Sequence, residues 1–117
     1  PQTTEAEKKY RREKIDQGLI EAANPPFDIL KKMDEVLDLL ELLLDLKVRG
    51  TIVDDIAVGL LFSEATIEAA KINCMVNIKL IKEDELRQKL TEDVMVVYER
   101  TLSRSRRLKD LAMDIIN

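Results

Sequence analysis

Asp55, Asn73 and Asn77 can transfer a proton or form directional hydrogen bonds, and all three fall on one stripe of a single helix-patterned segment. At 100° per residue they share that stripe with Gly59, Thr66 and Ala70. Glu64, Glu68 and Lys71 fall opposite and read as the solvent face. One flank between the two stripes is Ile56, Leu60 and Ile67; the other is Leu61, Ala65, Ile72 and Val76, with Phe62 at the stripe's edge. A stripe opposite the solvent face is expected to meet protein. An amide there costs free energy unless it is hydrogen-bonded, and neither Gly nor Asn favours a helix interior. Two arrangements answer that cost. A neighbouring helix approaches closely and takes the amides' hydrogen bonds, or the stripe lines a groove for a polar ligand.

Composition removes much of the other chemistry. The 117 residues contain no His, so the chain alone builds no Ser-His-Asp or Cys-His nucleophile system. A single Cys, Cys74, allows neither an internal disulfide nor a thiolate zinc site; it lies on an apolar flank and reads as core. Nineteen basic and twenty-three acidic residues leave a net charge of −4, which argues against nucleic acid as a partner. Arg100, Arg104, Arg106 and Arg107 form a basic cluster, but no aromatic residue is interleaved to stack a base, so it reads as a solvated face. No apolar run reaches the length of a membrane span, and no signal-peptide core stands near Pro1. The default expectation is a soluble cytoplasmic protein.

The elements that must position these residues are helices. Aromatics are 3% of the chain, and three Gly and three Pro leave few turns. A core of Leu, Ile, Val and Ala follows, in a single domain with few, long elements. The spacing predicts an all-α bundle of about four helices. Thr4-Glu5-Ala6-Glu7 fits a capping box for the first, which Pro25-Pro26 is expected to end at about Asn24. Leu30, Met33, Val36, Leu37, Leu40, Leu43 and Leu44 carry the second, with Lys47 and Arg49 in its last turn and Gly50 as its C-terminal cap. Thr51-Ile52-Val53 reads as a connection, with Asp54 or Asp55 capping a third helix that runs to about Lys79. A break near Lys82 to Asp84 starts the fourth, striped by Leu86, Leu90, Val94, Val97, Leu108, Leu111 and Ile115. The later three helices are long. The Leu39–Leu44 run is apolar on more than one side and is divided between core and oligomer interface.

Asp55-Ile56-Ala57-Val58-Gly59, then Glu68-Ala69-Ala70, then Asn73-Cys74-Met75-Val76-Asn77-Ile78-Lys79 resemble the cyclodeaminase/cyclohydrolase family. Asp55, Asn73 and Asn77 keep that family's spacing without a gap, and Ile81 to Glu85 fits its Ile-x-Asp-Glu ending. Upstream, Glu21-Ala22-Ala23-Asn24-Pro25-Pro26 resembles a further family segment, so the likeness covers nearly the whole chain. Two positions depart from the pattern: Asp54 stands for a Ser and Ala69 for a Gly. The family's Pro-Gly-Gly-Gly-Ser segment has no counterpart, so residues 1–117 are expected to be the later part of a larger cyclodeaminase-like domain.

The resemblance implies an all-helical, dimeric enzyme of tetrahydrofolate one-carbon metabolism. Such enzymes close 5-formiminotetrahydrofolate to 5,10-methenyltetrahydrofolate with release of ammonia, or interconvert the methenyl and 10-formyl forms with water. It implies no metal and no redox cofactor, the tetrahydrofolate derivative being the substrate. Carried over by position, Asp55 is the candidate acid/base, alternatively a helix N-cap, and Asn73 and Asn77 are candidate ligand-binding residues. Lys79, with Lys82, is a candidate for the folate glutamate tail, alternatively solvated surface. On a straight helix Asp55 and Asn73 lie roughly 27 Å apart. Serving one substrate then needs a bent helix, a ligand that spans both ends, or an antiparallel dimer. The competing expectation is a helical interaction or assembly module that keeps the family's helices without its chemistry.

Overall fold

A computed structural model describes residues 4–46 and 51–117. Thr4 opens the first helix, α1 (Glu5–Asp45), as expected: its side-chain oxygen accepts from the Glu7 amide at 3.1 Å. The Glu7 carboxylate in turn accepts from the Thr4 hydroxyl at 3.2 Å. The helix does not stop at Asn24. It continues through Pro25 and Pro26 to Asp45, so the first two expected helices are one element of 41 residues. The two prolines remove the amides that would bond the carbonyls of Glu21 and Ala22. Both of those residues are exposed, so water can serve the freed carbonyls, while Ala23 and Leu30 on either side of the prolines are buried and anchor the helix to the core. The expected last turn at Lys47 and Arg49 and the Gly50 cap lie outside the described residues.

The second helix, α2 (Thr51–Ile78), starts three residues earlier than the sequence suggests. Thr51-Ile52-Val53 is helical, and Asp54 sits in the first turn. The cause is packing: Val53 is buried alongside Ile56 and Ala57, and that burial outweighs the β-preference of its branched side chain. A short turn follows. The Ile81 amide bonds the Ile78 carbonyl at 3.0 Å, and the side chain of Asp16 on α1 accepts from the amides of Lys82 (2.9 Å) and Glu83 (3.2 Å). The third helix, α3 (Asp84–Ile116), is capped by Glu83, whose carboxylate takes the amides of Glu85 and Leu86. The described residues therefore form three helices and no strand.

α2 runs antiparallel to both neighbours and packs against each of them. Its Gly59 faces Leu40 of α1, and its Cys74 meets Ala23 further back along α1. Toward α3, the Ser105 hydroxyl donates to the Leu60 carbonyl at 3.3 Å, and Tyr98 donates to Glu68. α1 and α3 are parallel, in a register that holds over their shared length: Asp16 meets Lys82, Asp34 meets Arg100 and Asp38 meets Arg104. Each of those pairs is 66 residues apart. The core is a single aliphatic file through the three helices, centred on Leu30, Leu37, Leu60, Ile67, Ile78 and Leu108. The molecule is a rod of 70 × 20 × 18 Å.

Candidate functional site

The candidate residues occupy one edge of α2, and they are on the surface. Asp55 and Asn73 are exposed and Asn77 is half-buried. The stripe expected to meet protein thus faces outward, apart from Ala70, which is buried, and Gly59, which is half-covered. The expected solvent face turns inward instead. Glu64 accepts from Arg106 at 2.5 Å, Glu68 accepts from Tyr98, and Lys71 lies 5.1 Å from the centre of the Tyr98 ring. Burial follows only one of the two apolar flanks: Ile56, Leu60 and Ile67 are core, whereas Leu61, Ala65, Ile72 and Val76 are exposed. A helix apolar all the way round gives no single polar face to turn to water. α3 fixes the orientation by offering Tyr98 and Arg106 to the acidic stripe.

Local bonds show how the polar edge satisfies itself. The Asn77 amide donates to the Asn73 carbonyl at 3.2 Å, and the Thr66 hydroxyl donates to the Phe62 carbonyl at 2.8 Å. Neither takes a bond from a neighbouring helix. The side-chain oxygen of Asn77, the whole amide of Asn73 and the carboxylate of Asp55 therefore point to water or to a ligand. Asp55 is not the helix N-cap, because α2 begins at Thr51. α2 is unbroken from Thr51 to Ile78, so the separation of roughly 27 Å between Asp55 and Asn73 stands within one chain. The structure brings Asn73 and Asn77 together, one turn apart, and leaves Asp55 at the other end.

Lys79 sits where α2 ends, in an open groove of about 380 Å³ lined by Met75, Lys79, Arg87, Gln88, Thr91 and Glu92. Arg87 is held there by the Ile81 carbonyl (2.8 Å) and by Asp84 (2.6 Å). The groove brings together two cations, Arg87 already paired with Asp84, and the carboxylate of Glu92; sequence reading named Lys79 and Lys82 here without Arg87. Cys74 is core, as its flank implied. Its thiol meets the Ala23 carbonyl at 3.8 Å, and burial pushes its pKa up to about 11. Among the described residues no group of His, Cys, Asp and Glu is arranged to hold a metal ion. No helix there is long and apolar enough to cross a membrane.

The arginine cluster is solvated, as expected, at Arg100, Arg106 and Arg107, and it is also ion-paired, with Arg104 half-buried. Arg100 bonds Asp34 at 2.5 Å, Arg104 bonds Asp38 at 2.6 Å and Glu41 at 2.9 Å, and Arg107 reaches Glu41 at 3.5 Å. The signal was present in the spacing, since Asp34, Asp38 and Glu41 repeat the 4-then-3 intervals of Arg100, Arg104 and Arg107. Two helix faces with matching intervals and opposite charge are complementary only when the helices lie parallel. Arg104 holds the Glu41 carboxyl below the usual range, although partial burial opposes it.

A three-helix hairpin whose central helix carries Asp-x17-Asn-x3-Asn, closed by an Ile-x-Glu-Asp turn, defines the class of domain to which the sequence pointed. The family model described as formiminotransferase-cyclodeaminase matches residues 1–95, which takes in α1, α2 and the first part of α3. The chain belongs to that family. Comparison with curated proteins and comparison with solved structures return no match.

Proposed function

We propose that this chain acts on tetrahydrofolate one-carbon units as a cyclodeaminase, closing 5-formiminotetrahydrofolate to 5,10-methenyltetrahydrofolate with release of ammonia, or as a cyclohydrolase on the methenyl and 10-formyl forms. The observation that carries the reading is the family match, which spans Asp55, Asn73, Asn77 and Lys79 together. In the closure, N10 of the folate attacks the carbon of the protonated formimino group, whose C=N bond becomes single; a proton then moves from N10 to that NH2 nitrogen, and the bond from carbon to nitrogen breaks, releasing ammonia and leaving the methenyl cation. An aspartate can carry that proton, and Asp55 is free to do so. Asn73 and the free oxygen of Asn77 offer a donor and acceptors one turn apart, the pattern that a pterin edge requires. Lys79 and Arg87 supply charge for the glutamate tail. No metal and no redox cofactor is needed, and the cytoplasm is the compartment where such a substrate is found.

A second reading rests on the distance between Asp55 and Asn73. If no second chain joins them, the helices serve as an interaction or assembly module of this family without its chemistry. Calorimetric titration with 5-formyltetrahydrofolate separates the two. The enzyme reading expects saturable binding at one site per chain or per dimer, lost in Asn73→Leu with the melting temperature unchanged. Absence of binding at millimolar folate from a folded sample removes it. An Asn73→Leu variant that binds normally removes Asn73 from the site.

A further inference from the structure

The proline pair inside α1 frees two hydrogen-bond acceptors, and one of them stands across the α1–α2 seam from Asn77. Pro25 and Pro26 have no N–H to give to the carbonyls of Glu21 and Ala22, although the helix continues through both. Among the described residues, the side-chain donors that reach the α1 backbone go elsewhere: Cys74 to the Ala23 carbonyl and Arg104 to the Asp34 carbonyl. Carbonyls left without a partner need water or another donor, and Glu21 and Ala22 are both exposed.

Register places the Ala22 carbonyl. α1 and α2 are antiparallel, and Gly59 faces Leu40. Asn77 is 18 residues beyond Gly59, and Ala22 is 18 residues before Leu40. That interval is about five turns of an α-helix, so each lies on the same line of its helix as the residue it is counted from. The helices remain in touch this far along, because the Cys74 thiol meets the Ala23 carbonyl at 3.8 Å. Asn77 therefore comes level with Ala22 across the seam, and Asn73, one turn back, comes level with Pro26. Glu21 falls about 100° round α1, on the side away from the core. The groups gathered at the seam have a definite chemistry. The Ala22 carbonyl and the side-chain oxygen of Asn77 accept, while one hydrogen of the Asn77 amide is already given to the Asn73 carbonyl. Asn73 adds one amide that both donates and accepts. Acceptors predominate, so a matching ligand edge carries adjacent N–H donors.

We infer that the Ala22 carbonyl, freed by Pro26, accepts the 2-amino group of a pterin whose neighbouring atoms bond Asn73 and Asn77. The pterin edge sets an amino group beside a ring N–H beside a carbonyl, which answers this set of acceptors and donors. The inference rests on the folate reading for the identity of the ligand. It adds a main-chain acceptor to the site and gives the proline pair a role: Pro26 keeps the site's carbonyl out of the helix ladder, while Pro25 frees only the outward one.

Pro26→Ala tests the assignment, because it returns the missing amide to the Ala22 carbonyl. The helix gains a backbone bond and the ligand loses a free acceptor. The melting temperature should therefore rise while affinity for 5-formyltetrahydrofolate, read by calorimetric titration, falls by about 10-fold. Damage to the fold cannot imitate that pair of changes. Pro25→Ala returns the amide of the outward Glu21 carbonyl, and should raise the melting temperature with affinity unchanged. A second pair of probes reads the amino group itself. The unsubstituted chain should bind 2-amino-4-oxopteridine about 10-fold more tightly than 2,4-dioxopteridine, which puts an acceptor where the amino donor stood. Pro26→Ala should shrink that preference. Unchanged folate affinity in Pro26→Ala, an equal loss in both proline variants, or no preference between the two pteridines overturns the role of Ala22 and leaves the folate reading standing. A folded, unsubstituted chain that binds none of the three compounds removes both.

Discussion

Gly59 separates packing from function at a single atom. The sequence made it a sign of close approach on the polar stripe, but a Cβ built there meets nothing nearer than Cδ2 of Leu40, at 3.7 Å. That is ordinary van der Waals contact, so α1 does not require a glycine. Gly59→Ala should therefore raise stability by about 0.5–1 kcal/mol, since glycine costs that much in a helix interior, and a urea melt reads it. If folate affinity falls in the same variant, the glycine serves the ligand. Asn77 shows why polarity alone misplaced the stripe. Its amide bonds the Asn73 carbonyl one turn back, so it needs no neighbouring helix and sits at the edge of the surface at little cost.

At the scale of elements, the helical runs and two of their starts were legible, but the continuation of α1 through the prolines and the start of α2 were not. Leu30, Met33, Leu37 and Leu44 of the one stripe and Val94, Val97 and Leu108 of the other are core as expected, whereas Val36, Leu111 and Ile115 are exposed; the Thr4 cap and the break before Asp84 fall where the spacing predicts. The two prolines misled because local cost was weighed without the core on either side. Thr51-Ile52-Val53 misled in the same way, with Val53 buried as the override. Asp16 was invisible in sequence because its role depends on residues 66 and 67 positions away. It is 6% exposed and satisfies two amides of the turn between α2 and α3. Asp16→Ala leaves both without that partner, at a cost of about 1–3 kcal/mol. Thermal melts should show the loss, and Asp16→Asn, which keeps one acceptor, should show less of it.

On the scale of the whole molecule, the choice of face for α2 decided everything that sequence could not. Its apolar residues allow several orientations, and the one adopted pairs Glu64 and Glu68 with Arg106 and Tyr98 and buries the small side chains of Ala57, Ser63, Ala70 and Cys74. The ladder of Asp34, Asp38 and Glu41 with Arg100, Arg104 and Arg107 then fixes α1 and α3 in parallel register. Its pH dependence has a definite sign. Because the Glu41 carboxyl is held below its ordinary value of 4.5, its stabilising contribution is full above that value and fades as pH falls through the lowered one. The melting temperature should drop over that acid range, and Glu41→Gln should lose most of its share of the drop. Molar salt should shrink the difference between the two proteins at neutral pH.

The contact of Asp16 with the α2–α3 turn also sets where the rod begins. Every residue from Thr4 to Ile15 is exposed, and of these Lys9, Arg12 and Glu13 still line a groove with Lys82 and Glu83 of the α2–α3 turn. Among the described residues the Thr4 cap and surface pairs such as Lys8 with Glu5 and Lys9 with Glu13 support that stretch, whose length is marginal for an isolated helix in water. In terms of opening and closing, α1 is one helix in geometry and two in lifetime. Hydrogen exchange should therefore place the border between fast and slow amides at Asp16, nine residues before the first of the two prolines that break the pattern in the sequence.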